Sequence, residues 1–424
     1  RPAPSTLPAS HTHTPHTHTI DMGESAMAMD MDDEAVMAAG AAAVATLQNM
    51  QSIMLGVATD GDDVAQELAF EEDTGAEEEK PKRIRRSYDR PDYWGSVWGG
   101  WLRRLEELEA GEGGLDPSCR EAVQFKGAFR VPYSLFLMIM ESVSSIFPDV
   151  SRDVAGRECP PVELKVLGTL KVLASGCCFQ DVATCTLMSR TTAENSFHNF
   201  CEKFSEGLWD KWVKLPTGDD LLKVEEAYRK CGYPGAVGSL DCTHFAWTCP
   251  FSEKNIHKGK EGHTTVVVEA MCDHSGRIIA ATKSYPGAEN DKTVVKRDKS
   301  VWRIRDEEPW KSLKFKLYTS NDTETEHEGA WLIVDGGYHK IPLLVPPFKN
   351  PLNLEEVKWS QRLESIRKDI ECCFGRVKGR WRFFKGTILF DSREKIDNAW
   401  FTACILHNML HALDGLGDLE EDAD

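Results

Sequence analysis

Asp335 follows four apolar residues, Trp331 to Val334, and precedes two glycines in "WLIVDGGYHK" (331–340). An apolar run bounded in this way reads as a buried strand. The acid at its end has two readings. Asp-Gly is a common turn signal, and a strand tip is also a rigid mount for a metal ligand. Asp241 stands in a similar place in "GSLDCTH" (238–244), where a short strand is expected to end at the acid. Glu371 lies beside the stripe Trp359, Leu363, Ile366, Ile370, Phe374 and Val377, whose steps of four and three predict a helix with one buried face. Two strand tips and a following helix would bring three acids into one cleft. Phosphodiester cleavage needs such a cleft, because it must activate a water or 3′-hydroxyl and stabilise a departing alkoxide. Two Mg²⁺ (or Mn²⁺) ions about 4 Å apart do both, and hard carboxylate oxygens hold them. Crowded like charges repel without metal, so the acids predict the ions.

The elements that must position these acids can be read from periodicity. After about residue 233 the pattern is that of strands. "HTTVVVEAMCDHSGRIIAATKSYPG" is a hairpin, with an apolar run from Thr264 to Met271, a turn holding Asp273 and Gly276, and a second strand from Ile278 to Thr282. Residues 292–329 read as helix and then polar loop. Strand, hairpin, strand and helix together are the layout of a ribonuclease-H-like α/β fold. A final apolar helix, "NAWFTACILHNMLHAL", precedes the C-terminus.

An all-α region precedes the strands. "PPVELKVLGTLKVLASG" predicts a helix between Pro161 and Gly176. "FQDVATCTLMS" predicts a short helix, and "RTTAENSFHNFCEKFSEG" a third, with Thr191 and Glu194 as a capping box. These three are either an ordinary helical bundle or a helix-turn-helix whose Arg190, Asn195, His198, Asn199 and Lys203 face DNA. Residues 128–146 predict one more apolar helix. The tryptophans of "WGSVWGGWLRRLEELEAG" suit either a docking segment or plain core. The domain expectation is a disordered acidic tail at 1–79 and a basic, aromatic linker at 80–125. A helical region at 126–215, a catalytic domain at 225–413 and an acidic tail at 414–424 follow.

Charge is segregated along the chain. The net charge is −18, yet residues 1–79 hold 16 acids and one base, and residues 414–424 hold six acids and no base. Residues 80–413 are therefore at +3, mildly basic. "EEEKPKRIRR" (77–86) switches from acid to base and reads as a nuclear import signal, a phosphate contact or a solvated charge run. "RVKGRWRFFK" (376–385) has five bases, no acid and three aromatics, a composition suited to phosphate contact and base stacking. Arg367, one turn before Glu371, and Lys378, two turns after it, share its helix face; a solvated face is the alternative. The four histidines of "HTHTPHTHT" suit a solvated tail better than a metal site. The 13 cysteines form no C-x-x-C and read as reduced, mostly buried thiols of an intracellular protein. Polar residues within the Ala-rich stretch 35–58 argue against a membrane span. "RPAPSTLPAS" has no secretory layout, and Met22 or Met27 could begin the natural chain.

Five stretches carry a family resemblance. "GSLDCTH", "YPGAENDK" (285–292), "WLIVDGGYHKIPLLVPPF" (331–348), "RLESIRKDIECCFGRVKGRW" (362–381) and "CILHN" (404–408) resemble, in this order, PIF/Harbinger transposases and the nucleases derived from them. The resemblance covers roughly residues 160–411. It implies a DDE-type, ribonuclease-H-like endonuclease with Asp241, Asp335 and Glu371 as the triad. About 35 residues separate the last two, as in such enzymes. Asp291 matches a further metal-ligand position, with capping of the following helix as the alternative. His244 and Lys349 match positions beside the triad that contact substrate or order the site. Arg376, Lys378, Arg380 and Arg382, with Arg367, would face DNA. The resemblance also implies a helix-turn-helix before the core, which favours that reading of 180–204. Implied partners are terminal inverted repeats, an A/T-rich target, a Myb-like accessory protein and a second copy of the chain, in the nucleus. A domesticated, non-cutting DNA-binding or chromatin scaffold is the competing expectation. A phosphatase or other hydrolase has no motif of its own here.

Overall fold

The sheet is best followed from its central strand. β1 (Ala236–Ala246) is flanked on one side by β2 (Thr265–Cys272) and on the other by β7 (Trp331–Ile333). The computed structural model describes residues 90–147, 152–153, 156, 158–318, 324–338 and 341–415. The 1–79 tail, the Ala-rich stretch, the basic cluster of the 80s and most of the C-terminal acidic tail lie outside the described residues. β2 continues through the predicted turn into β3 (Ile278–Ala281), and β4 (Tyr285–Pro286) returns to pair with the start of β2. β8 (Leu344–Val345) closes the far edge. The order is β3-β2-β1-β7-β8, antiparallel among the first three and parallel from β1 outward. The chain is thus mixed α/β, with a helical N-terminal region and a mixed sheet.

Seven helices precede the sheet among the described residues: α1 (Val97–Glu109), α2 (Arg120–Phe129), α3 (Tyr133–Ser144), α4 (Val162–Ser175), α5 (Phe179–Thr186), α6 (Arg190–Trp212) and α7 (Asp219–Lys230). α4 ends at Gly176 as its sequence predicts. The tryptophan segment is core: Trp98, Leu102 and Leu105 are buried, and Trp98 meets Phe129 edge-on at 5.3 Å. The cap of α6 differs from expectation. Ser189, two residues before Thr191, accepts the Thr192 N–H, while Glu194 pairs with Arg190 on the helix surface.

The helical region does not stand apart from the sheet. One continuous core runs from Phe129, Leu170 and Phe204 to Val266, Val268 and Ala270 of β2. Two long helices complete it, α11 (Leu354–Arg380) and α12 (Arg393–Leu413). α11 buries Leu363, Ile366, Ile370, Phe374 and Val377, the stripe that its sequence predicts. The "CILHN" motif is a clamp between layers. Asn408 receives the Ile278 N–H and donates to the Ile278 and Trp212 carbonyls, tying α12 to β3 and α6. Fully paired buried amides of this kind hold the layers in one arrangement.

Between β4 and β7 lie α9 (Asp291–Val294), α10 (Lys299–Asp306) and a hairpin, β5 (Lys314–Tyr318) with β6 (Glu324–Glu328). Earlier, α8 (Lys254–His257) sits in the loop after β1. The hairpin corrects the expectation of a polar loop. Neither of its faces is buried, so no hydrophobic alternation marks it. Cross-strand pairs Lys314–Glu326 (2.9 Å) and Lys316–Glu324 (2.8 Å) accompany its register instead. No described helix is long and apolar enough to cross a membrane.

Candidate active site

β1 does not end at Asp241. It runs on to Ala246, and Asp241 lies mid-strand opposite Ala270 of β2. On its other side the picture changes. The parallel pairing with β7 stops at Ser239↔Ile333. Asp241 and Asp335 each lie two residues beyond that last pair, so they occupy equivalent positions where β7 leaves the sheet. Asp241 is therefore interior with respect to β2 and at the tip with respect to β7.

Asp335 makes the turn that its sequence allows. Its Oδ1 accepts the Gly337 N–H at 2.8 Å, forming a turn. A Cβ at Gly337 would stand 2.9 Å from that oxygen, so a glycine lets the carboxylate fold back. Lys349, exposed on the loop after β8, passes over Gly336 beside this turn. Asp291 opens α9, but the helix is capped by Asn290, which accepts the Thr293 N–H at 3.1 Å. The Asp291 carboxylate instead lies beside the Cys242 thiol. The "YPG" stretch delivers it there: the Gly287 N–H donates to the Thr265 carbonyl at 3.0 Å, an approach a side chain would block.

Glu371 reaches the site from α11, with its side chain 49% exposed. Arg367, one turn earlier, is turned inward and only 12% exposed. Its guanidinium contacts Asp241 (3.3 Å), Glu364 (2.9 Å) and Glu371 (2.8 Å). Arg367 is thus an acid-site residue in this structure, not part of an open phosphate-binding face. Burial, opposed by the Cys242 N–H and Arg367 and reinforced by Asp335 and Asp291, raises the Asp241 carboxyl to about 6. Crowded carboxylates of this kind suit a divalent cation by donor chemistry. Their spacing does not suit one as they stand. Among the described residues no three His, Cys, Asp or Glu side chains converge to hold a metal ion.

The remaining expected residues divide. Lys378 is structural, donating to Thr243 Oγ1 (2.6 Å) and the His244 carbonyl (3.0 Å), so it ties α11 to β1. His244 Nδ1 lies 3.1 Å from Thr265 Oγ1, and burial lowers its pKa. Arg376 and Arg380 join Lys126 and Arg130 around a cavity of about 460 Å³. Arg382 is exposed just after α11. On α6, Arg190, Asn195 and Asn199 are exposed. His198 is packed among Phe179, Phe197 and Phe390, and burial lowers its pKa to about 4. Lys203 lies over the Phe147 ring. These two are packing residues here, which breaks up the expected DNA face of α6. A larger cavity, about 560 Å³, opens beside Phe315, Trp331 and Trp359 and is lined by none of the candidate residues.

Glu269 was not foreseen. It is fully buried on β2, on the face shared with Cys242, and its Oε1 lies 3.5 Å from the Tyr338 hydroxyl. Burial pushes its carboxyl well up. Its signal was in plain view: the one charged residue in an otherwise apolar strand. Asp298, capping α10 through the Ser300 N–H, is a second buried acid on this side.

Residues 210–415 match the family model described as "Plant transposon protein". "Protein ALP1-like" of Arabidopsis thaliana is 23% identical over 320 residues, 74% of each chain. "Putative nuclease HARBI1" of Homo sapiens is 22% identical over 251 residues, 58% of this chain and 66% of that one. The Xenopus laevis protein of the same name is 25% identical over 211 residues, 48% and 55%. The chain is thus similar to HARBI-like, transposase-derived proteins over the segment that holds the sheet. No solved structure matches it. The family segment begins near the end of α6 and closes just after α12, so it contains the sheet and Asp241, Asp291, Asp335 and Glu371. It leaves out Arg190, Asn195, His198, Asn199 and Lys203.

Proposed function

We propose that this protein is a divalent-metal-dependent DNA endonuclease and strand transferase, with Asp241, Asp335 and Glu371 as catalytic acids in a ribonuclease-H-like DDE core. The observation that carries this reading is the parallel register of β1 and β7. It carries Asp241 and Asp335 to equivalent positions two residues beyond the last β1–β7 pair, and α11 brings Glu371 to Arg367 beside Asp241. The strand order, with an antiparallel hairpin on one side of β1 and parallel strands on the other, supports the same core. So do the family and the nuclease named among its relatives. The function is nuclease- or transposase-related on those grounds; cleavage and strand transfer are the proposal.

Asp241, Asp291, Asp335 and Glu371 would hold Mg²⁺ or Mn²⁺, which supplies an acidified water and neutralises charge at the scissile phosphate. Glu371, the acid most open to solvent, would orient or deprotonate the entering hydroxyl. Lys349 brings positive charge beside Asp335. Arg376, Arg380, Lys126 and Arg130 would track the phosphate backbone away from the reacting atoms, with Arg382 beyond them. The reading further proposes action in the nucleus, on terminal repeats and an A/T-rich target. Two copies and a Myb-like partner would hold the two ends.

One observation favours the second reading, a non-cutting DNA-binding or chromatin-associated scaffold: Arg367 already neutralises the acids. A supercoiled plasmid carrying the element's terminal repeats decides between the two. With Mg²⁺ or Mn²⁺ the protein should nick it, and EDTA or Asp335→Asn should abolish nicking. DNA-binding protein that leaves the plasmid intact, with the Myb-like partner added, would make the scaffold the better reading.

A further inference from the structure

Arg367 is the residue that the metal-centre reading does not absorb. Its guanidinium spans Asp241 and Glu371, the acids from the sheet and from the helix, and its Nε is held by Glu364 on the outer side. An arginine fork satisfies three carboxylates at once, which a point charge does not. It lies within ion-pair reach of both Asp241 and Glu371. A dication and a guanidinium within ion-pair reach of the same two acids repel strongly in a half-buried site. The spacing agrees: among the described residues no three His, Cys, Asp or Glu side chains are grouped to hold a metal ion.

We propose that the Arg367 guanidinium and a divalent cation are alternative occupants of the gap between Asp241 and Glu371, so that Arg367 is a built-in counter-ion that must withdraw before the centre assembles. The inference rests on the metal-centre reading above. Arg367 holds the acids together in the metal-free protein and sets a threshold for metal entry. Glu364, 37% exposed and three residues back on the same helix, is where the guanidinium stays anchored when it swings out. A withdrawn Arg367 is then free to meet a substrate phosphate, which links DNA binding to metal binding.

The test is Mn²⁺ binding to the full chain, followed by electron paramagnetic resonance of the free ion. The acid-rich N-terminal segment will also bind Mn²⁺, so the site's share is the part that Asp335→Asn removes. Arg367→Gln and Arg367→Lys are compared with the parent, and thermal melts with and without Mn²⁺ confirm folding. Both variants should bind site Mn²⁺ at least about fivefold more tightly, or about 1 kcal/mol. Lysine keeps the charge but cannot bridge three carboxylates. Tightening in Gln alone would mean a general field effect and would overturn the displacement. Unchanged affinity in both would overturn it too, leaving the metal centre intact. Absence of site Mn²⁺ from parent and variants alike would remove the metal-centre reading and this inference with it.

Discussion

In metal-free buffer, Asp241→Asn should make the folded protein more stable, and by clearly more at pH 8 than at pH 4.5. The reason is the carboxyl's position. Burial, with Asp335 and Asp291 nearby, raises it from an ordinary 3.8 to about 6. A raised value means the folded state prefers the neutral acid. Its stabilising contribution is complete below about pH 3.8 and is lost as pH rises through about 6. A rise of about two units corresponds to about 3 kcal/mol at most. Asparagine keeps an acceptor for the Cys242 N–H, and the pairing with Arg367 is already counted in the raised value. The expectation is therefore up to about 3 kcal/mol of stabilisation at pH 8 and about 1 kcal/mol at pH 4.5. Urea unfolding in EDTA at the two pH values, followed by tryptophan fluorescence, measures it. A variant that is equally or less stable at pH 8, by the same margin at pH 4.5, would refute the reasoning. Asp241 would then be an ordinary satisfied carboxylate rather than one disfavoured as an anion by its burial.

Two further outcomes follow from the geometry. Gly287→Ala places a Cβ 2.0 Å from Thr265 Oγ1 and 2.4 Å from its carbonyl, so the chain must lift off β2 and carry Asp291 away; a loss of about 1–3 kcal/mol in unfolding free energy should accompany reduced nicking, and a wild-type melt would contradict it. Arg376→Ala and Arg380→Ala should each lower the slope of log affinity for DNA against log salt by about one, whereas Lys378→Met, which removes hydrogen bonds to Thr243 and His244, should cost stability and leave the slope alone.

The elements carrying a buried stripe were legible. α4, the β2–β3 hairpin, α11 and α12 follow apolar periodicity, because in each the core selects the face. Asp335 was legible for the same reason, as an acid closing an apolar strand. The extent of β1 was not. Its second half, Cys242 to Ala246, mixes polar and apolar residues, and its pairing is set by β2, a partner the local pattern does not reveal. The β5–β6 hairpin was invisible because neither face is buried.

Side-chain direction was the harder part of the site. Helical spacing places Arg367 on Glu371's face, but cannot say that it turns toward Asp241 on a strand more than a hundred residues earlier. His198 reads as a polar residue on a helix face until Phe390, from a distant loop, packs against it. Glu269 could have been found: a single acid among buried strand residues needs a partner or a neutral form. Each miss is a matter of which distant element arrives next to the residue.

The most direct test of the metal-dependent acid centre is plasmid nicking by Asp335→Cys in Mg²⁺ and then in Mn²⁺. A thiolate is a poor ligand for hard Mg²⁺ and a better one for Mn²⁺. The account predicts a variant inactive in Mg²⁺ and partly restored in Mn²⁺. Wild-type nicking in Mg²⁺ would show that Asp335 does not hold the metal and would contradict the account.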